Sequence, residues 1–203
     1  LMKVATDILH NNCIGVLVKS ELVSQREINE AIAIAKKFNF NLKIIEVNQL
    51  KNENIVKNPL DRCYYCKVEI FKKIKEIAIK NNIDYVLEGS NADDLNDYRP
   101  GLKALKEIGV RSPLQELKFN KYEIRALSKM LDLPTWNKES LTCLATRIMY
   151  EEEITKEKLK AIEKIEEYLI NNGFKNVRAR HIHKTLKIET SIEDIPKIIK
   201  EPF

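Results

Sequence analysis

The chain has 203 residues, enough for one ordinary domain and a small second one. Apolar residues make up 44% and charged residues 32%, a globular balance that excludes a disordered chain. The net charge of +5 and the sequence pI of about 8.9 admit phosphate-bearing ligands or nucleic acid without requiring either.

No run of about 18 apolar residues is present to span a membrane, and the segment before the first strand does not read as a signal peptide. Four cysteines in a chain of this length point to a reduced, cytoplasmic compartment, with thiols kept for metal or chemistry. Lys and Glu are interleaved along the helices, as at Lys72, Lys73, Lys75 and Glu76, which marks solvated faces rather than a nucleic-acid stripe.

Leu1, Val4, Ala5, Ile8 and Leu9 fall at helical spacing, so the chain is expected to open inside a helix. Cys13 to Val18 reads as a buried strand. Ser24 suits the N-cap of a helix with Ile28, Ala31, Ile32, Ala35 and Phe38 on one face. Leu42 to Val47 reads as a second strand, and strand–helix–strand alternation argues for a parallel sheet with helices on both faces.

A loop at Asn58 to Arg62 leads into a helix with Ile70, Phe71, Ile74, Ile77 and Ala78 inward. Asp84 to Glu88 reads as a third strand, followed by a polar, turn-rich segment from Gly89 to Gly101. Helices are expected near Leu102–Ile108 and Lys121–Leu131, with Pro134 breaking the pattern before Trp136. After Tyr150 come a helix carrying Leu159, Ile162, Ile165 and Leu169, ended by Gly173. Strands at Val177–His181 and Leu186–Glu189 follow, then a helix from about Ser191. That is a small second α/β unit.

Cys63 and Cys66 form a Cys-Tyr-Tyr-Cys pair at a loop-to-helix junction, where helix N–H groups, Arg62 and Lys67 favour thiolate. Two cysteines do not complete a metal site. The further candidates are Cys143, Cys13 and the histidines. Cys13 opens an apolar run and reads as core. Three thiolates could hold a cluster with one open iron, whereas three thiolates with His181 or His183 could hold a structural zinc.

Cys143 lies in a segment without clean periodicity, Ser140 to Arg147, and Arg147 suits either a thiolate or a phosphate. Asp93, Asp94 and Asp97 follow the third strand, a position that suits Mg²⁺ and an adenylate, or else a loop of Asx turns. Arg178 and Arg180, two apart on a strand, share a face and form either a phosphate grip or a charged edge. Glu166 flanks the helical apolar stripe, at the surface or facing the arginines.

Four segments then coincide in order: Asn58–Lys67 (NPLDRCYYCK), Glu88–Gly101 (EGSNADDLNDYRPG), Val110–Leu114 (VRSPL) and Cys143–Arg147 (CLATR). Together they resemble the LarE family, sulfur transferases that make the nickel-pincer nucleotide of lactate racemase. The resemblance implies a Rossmann-like PP-loop ATP pyrophosphatase domain over residues 1–149. A smaller C-terminal α/β domain over 150–203, for substrate binding or oligomerisation, follows.

It further implies that ATP with Mg²⁺ adenylates a carboxylate of pyridinium-3,5-biscarboxylic acid mononucleotide, and that sulfur then displaces AMP. The sulfur source is either Cys143 itself, which becomes dehydroalanine, or a [4Fe-4S] cluster on Cys63, Cys66 and Cys143. The presence of all three cysteines favours the cluster, with zinc or no metal as alternatives. By the same resemblance Arg178 and Arg180 match the family's phosphate-binding arginines and Glu166 a site glutamate; with Asp93, Asp94 and Arg147, read from their own positions, they make up the expected nucleotide and substrate contacts. The implied partners are small molecules, without nucleic acid or membrane, in a homo-oligomer.

The family's Ser-Gly-Gly-x-Asp-Ser signature is absent and is expected just before Leu1. An Asp-Leu-Glu-Gly-Tyr-Arg type tail is expected after Phe203. Glu151 stands where family members place glycine. Two other functions remain open on these residues: a tRNA thiolation enzyme of the same PP-loop class, and a zinc-stabilised binding module without enzymatic activity.

Overall fold

The computed structural model describes residues 1–96, 98–139 and 142–200. In chain order the regular elements are α1 (Met2–Leu9), β1 (Gly15–Lys19), α2 (Gln25–Lys37), β2 (Leu42–Glu46), α3 (Glu53–Val56), α4 (Arg62–Lys80), α5 (Pro100–Ile108), α6 (Pro113–Glu116), α7 (Lys121–Met130), α8 (Lys156–Asn171), β3 (Arg178–Ile182), β4 (Thr185–Glu189) and α9 (Ile195–Lys200). Among the described residues no helix is long and apolar enough to cross a membrane. The chain divides into two compact units. The first is built from Leu1–Lys19, Arg26–Val47 and Asp61–Lys138, and the second from Ser20–Gln25, Asn48–Leu60 and the chain from Glu139 onward.

In the first unit β1 and β2 run parallel, in register from Gly15 opposite Leu42 to Lys19 opposite Glu46. Parallel neighbours need a crossover, and α2 supplies it, burying Ile28 and Ala35 from its apolar face. β1 starts two residues later than the apolar run suggests. The Cys13 N–H closes a turn onto the His10 carbonyl, and the ladder begins where the Gly15 N–H reaches the Asn41 carbonyl at 2.8 Å.

The core of this unit lies between α4 and α5. Phe71 and Ala78 of α4 meet Leu105, Val86 and Val110, with Ile70, Ile74, Leu102 and Ile108 around them. The spacing of three and four residues puts these α4 side chains on one stripe. Gly101 lets α5 come close: a Cβ there would stand 3.1 Å from Lys67 Cγ and 3.5 Å from the Cys63 carbonyl. Gly109, at φ 76°, ends α5 in a left-handed cap that a side chain would strain.

The run from Asp84 to Glu88 forms one rung rather than a strand. Leu87 bridges Arg111 in parallel, the Glu88 N–H donates to the Arg111 carbonyl, and the Arg111 N–H donates to Val86. Only Val86 is buried, with Tyr85 and Leu87 exposed on either side, so the run has a single side chain to anchor it.

In the second unit α8 starts at Thr155, whose hydroxyl caps the Lys158 N–H. It buries Leu159, Ile162 and Leu169. Leu169, Phe174 and Val177 form a core with Ile165, Ile188 and Ile198. β3 and β4 make an antiparallel hairpin in which Ala179 faces Ile188. Ala179 is fully buried, so the period of two turns Arg178 and Arg180 to the opposite face. α9 begins after the expected Ser191, because residues 191–194 form a turn closed by the Asp194 N–H on the Ser191 carbonyl.

Glu151 adopts φ 65°, in the left-handed region, and donates its N–H to the Asn58 carbonyl at 3.0 Å. Its backbone conformation is the one glycine takes without strain. Glu151→Gly is therefore expected to raise stability by about 1 kcal/mol, the strain relieved less the added freedom of the unfolded chain. Chemical denaturation of the two proteins side by side checks this, and an unchanged or lower midpoint would show that Glu151 is held without strain.

Candidate functional site

In the first unit, α4 opens at Arg62, and Cys63 and Cys66 occupy its first turns, three residues apart and therefore on one side. Both thiols are half-buried. Arg62 is 1% exposed, and its Nη2 lies 4.0 Å from Cys63 Sγ. A guanidinium beside a thiol at a helix start suits an anionic sulfur. Lys67, one turn on, points its ammonium elsewhere: 3.8 Å from Glu88 and 5.0 Å from the centre of the Phe71 ring. Cys13 is half-buried ahead of β1, and burial pushes its thiol up, as fits a packing residue.

Glu88 gathers three of the four sequence motifs. Its carboxylate accepts from the Ser90 N–H at 3.0 Å, the Ser90 hydroxyl at 2.9 Å and the Ser112 hydroxyl, and lies beside Lys67. Asp93 and Asp94 build the loop that follows. Asp94, nearly buried, accepts the Asn91 N–H at 2.9 Å and pairs with Arg99 at 2.9 Å. Asp93 is exposed and accepts the Lys121 N–H at 2.8 Å, capping the turn before α7. Asp97 lies outside the described residues, as do Ser140 and Leu141 of the Cys143 segment.

In the second unit Cys143 caps a 3₁₀ turn, Leu144–Arg147. Its carbonyl accepts from the Thr146 N–H at 3.0 Å and the Thr146 hydroxyl at 2.7 Å. The Leu144 N–H reaches the Leu22 carbonyl at 2.8 Å. The Arg147 side chain is 4% exposed and Glu166 13%. The guanidinium grips the carboxylate through Nε at 2.8 Å and Nη2 at 3.4 Å. Glu166 also accepts the Ala179 N–H at 2.9 Å, which ties the pair to β3.

Arg180 donates to Glu189 at 2.7 Å and to the Thr146 carbonyl at 3.0 Å. The hydrogen bond from Arg180 holds the Glu189 carboxyl below its ordinary range. Arg178 shares the outward face of β3, and its side chain makes no ion pair or hydrogen bond among the described residues. His181 Nδ1 stands 2.9 Å from Glu152, whose other oxygen accepts the His183 N–H at 3.2 Å. His181 thus faces Glu152 with its ring, and His183 with its backbone N–H. Among the described residues no three His, Cys, Asp or Glu side chains gather as a metal group. Cys63 and Cys66 belong to the first unit, and Cys143 to the second.

No family model matches the chain. Three curated proteins are similar to it over nearly all its length. An uncharacterised protein of Synechocystis is 38% identical over 199 residues, 98% of this chain and 74% of the relative. An uncharacterised protein of Methanocaldococcus jannaschii is 38% identical over 186 residues, 92% of this chain and 71% of the relative. The pyridinium-3,5-bisthiocarboxylic acid mononucleotide synthase of Lactiplantibacillus plantarum is 35% identical over 190 residues, 93% of this chain and 69% of the relative. The chain belongs to the family of that synthase. Its helix-flanked parallel pair is part of the PP-loop α/β fold that membership implies.

The family frame brings out residues that sequence reading passed over. Asn58, which opens the first motif, is fully buried, and its Nδ2 donates to the Met149 carbonyl at 2.6 Å. Glu88 and Ser112 open or sit within two motifs, yet their partnership needs the folded chain. A carboxylate at a motif's first position, followed two residues later by serine, is the signal that could have marked Glu88.

Breaking a buried ion pair from one side strands the other charge. Glu166→Ala is expected to cost about 3–5 kcal/mol, because Arg147 would stay buried without its partner. Arg111→Ala, in the exposed pair with Glu116, should leave the denaturation midpoint nearly unchanged. Equal effects of the two substitutions would remove Arg147–Glu166 from the structural frame.

Proposed function

We propose that this chain is an ATP-dependent sulfur transferase that converts carboxylates of pyridinium-3,5-biscarboxylic acid mononucleotide into thiocarboxylates, for a nickel-pincer cofactor. The observation that carries this reading is membership of the synthase family over nearly the whole chain. The reaction needs ATP because a carboxylate oxygen is a poor leaving group. Attack of the carboxylate on the α-phosphate releases pyrophosphate and leaves an acyl adenylate. A sulfur nucleophile then adds to the carbonyl carbon, the C–O bond to phosphate breaks, and AMP departs with the electron pair.

The protein's residues divide this work. Arg178, on the open face of β3, is the phosphate contact of the mononucleotide, with Arg180 beside it and oriented by Glu189. Asp93, exposed after the Glu88 loop with one oxygen on the Lys121 N–H, offers its other oxygen to Mg²⁺, whereas Asp94 is committed to Arg99 and to the Asn91 backbone. Cys63 and Cys66, half-buried and one helical turn apart, have the donor chemistry and spacing of a thiolate metal pair. With Cys143 they are the thiols that would hold a [4Fe-4S] cluster. Such a cluster would supply sulfide as the nucleophile that the activated carbonyl requires. Cys143, presented at the start of its 3₁₀ turn, is the donor if no cluster is held.

The test is thiocarboxylate and pyrophosphate formation by anaerobically prepared full-length protein, together with its iron, acid-labile sulfide and zinc content. About four irons per chain with repeated turnover assigns the sulfur to a cluster. Iron-free, zinc-free protein that loses the Cys143 sulfur in a single turnover assigns it to that residue. Stoichiometric zinc with neither product overturns sulfur transfer. Arg178→Ala should raise the KM for the mononucleotide about tenfold, the loss of one charge-assisted contact of about 1.4 kcal/mol, with folding unchanged. An unaltered KM would reduce Arg178 to a surface charge.

A further inference from the structure

The segment that presents Cys143 is fastened by a chain of donors and acceptors running out of the second unit's core. Arg147 uses Nε and Nη2 on Glu166 and Nη1 on the hydroxyls of Thr142 and Thr146. Among the described residues four of its five N–H groups have acceptors, one on Nη2 being left, and the side chain is almost fully buried. The guanidinium therefore has little to offer a phosphate.

The hydroxyls balance in the same way. Thr146 Oγ1 has one proton, and it goes to the Cys143 carbonyl at 2.7 Å. Its lone pairs face Arg147 Nη1 at 2.9 Å and Thr142 Oγ1 at 2.9 Å, so the Thr142 hydroxyl is the donor in that contact. Glu166 is fixed in turn by the Ala179 N–H, and Arg180 holds the Thr146 carbonyl from β3. The links run from helix α8 through Glu166, Arg147 and Thr146 to the backbone of Cys143. The Leu144 N–H on the Leu22 carbonyl and the Ile148–His181 bridge secure the two ends.

We infer that Glu166, Arg147 and Thr146 are positioning residues that fix the Cys143 turn, and that Arg147 and Glu166 do not contact the nucleotide. Their catalytic meaning rests on the proposed sulfur transfer, in which a reacting or sulfur-bearing group must be held at a set distance from an activated carbonyl. Both residues are expected from the sequence to be ligand contacts, Glu166 by the family resemblance and Arg147 by its place beside Cys143; their mutual saturation gives them this other task.

Thr146→Val keeps the shape and removes the hydroxyl, and Thr146→Ser restores it. Both are read in full-length protein by amide hydrogen exchange across residues 142–148 and by steady-state kinetics. Thr146→Val should speed exchange in that peptide about five- to tenfold, the worth of one hydrogen bond, while peptides of α4 and α5 stay unchanged. In the same variant kcat should fall about tenfold or more with the KM for the mononucleotide held within about twofold, and Thr146→Ser should recover both. Glu166→Gln, which keeps an acceptor oxygen without the charge, should act in the same direction if it folds. Wild-type exchange in Thr146→Val, or a raised KM with kcat unchanged, overturns the inference and returns the residue to ligand binding. Wild-type protein that makes no thiocarboxylate ends the sulfur-transfer reading, while the exchange result still decides whether the strut exists.

Discussion

A guanidinium taken out of water must be met by a carboxylate and by further acceptors, and Arg147 imposes that requirement on the second unit. Glu166 of α8 meets it through two nitrogens, and the hydroxyls of Thr142 and Thr146 take most of what remains. Because Glu166 also accepts from β3, one carboxylate fixes a helix, a hairpin strand and a turn together. Replacement by apolar residues of similar volume is open to a purely structural pair, but here the pair ends on the backbone of a cysteine. The desolvation cost is offset only when every one of these partners is in place, so the turn has one arrangement to adopt.

The first unit solves a different problem with a similar device. Its apolar core between α4 and α5 is ordinary, and Gly101 lets the two helices approach where the cysteine pair begins. On that platform Glu88 draws together Lys67, Ser90 and Ser112, residues from three separate motifs. The loop carrying Asp93 and Asp94 is then closed by its own turns, leaving Asp93 exposed. Charge is thus spent twice in this unit, once to hold a loop and once, at Arg62, beside a thiol.

The hairpin shows how a period of two separates packing from recognition. Ala179 and Ile188 face inward, and their neighbours Arg178 and Arg180 face away. Arg180 is braced by Glu189 and a backbone carbonyl, whereas Arg178 stands open. One braced and one open guanidinium on a single face is an arrangement suited to a phosphate entering from solvent.

Helix periodicity, turn residues and motif order were legible in the sequence because each depends on neighbours a few positions away. They gave α2, α4, α5, α7, α8 and the hairpin within a few residues, and they gave the family. The Asp84–Glu88 run misled because apolar composition cannot tell how many backbone rungs a partner will supply, and Arg111 supplies one. Cys63, Cys66, Cys143, Arg178 and Arg180 could be singled out from residue type and spacing alone. The tasks of Arg147, Glu166, Glu88, Thr146 and Asn58 could not. Thr146 is held by Arg180 as well as by its neighbour Cys143, and each of these residues has a partner between 19 and 91 positions away, reached only when the chain has closed on itself. Local pattern fixes which elements form, but the burial of a charge, and with it the partner that charge must find, is decided by the tertiary structure.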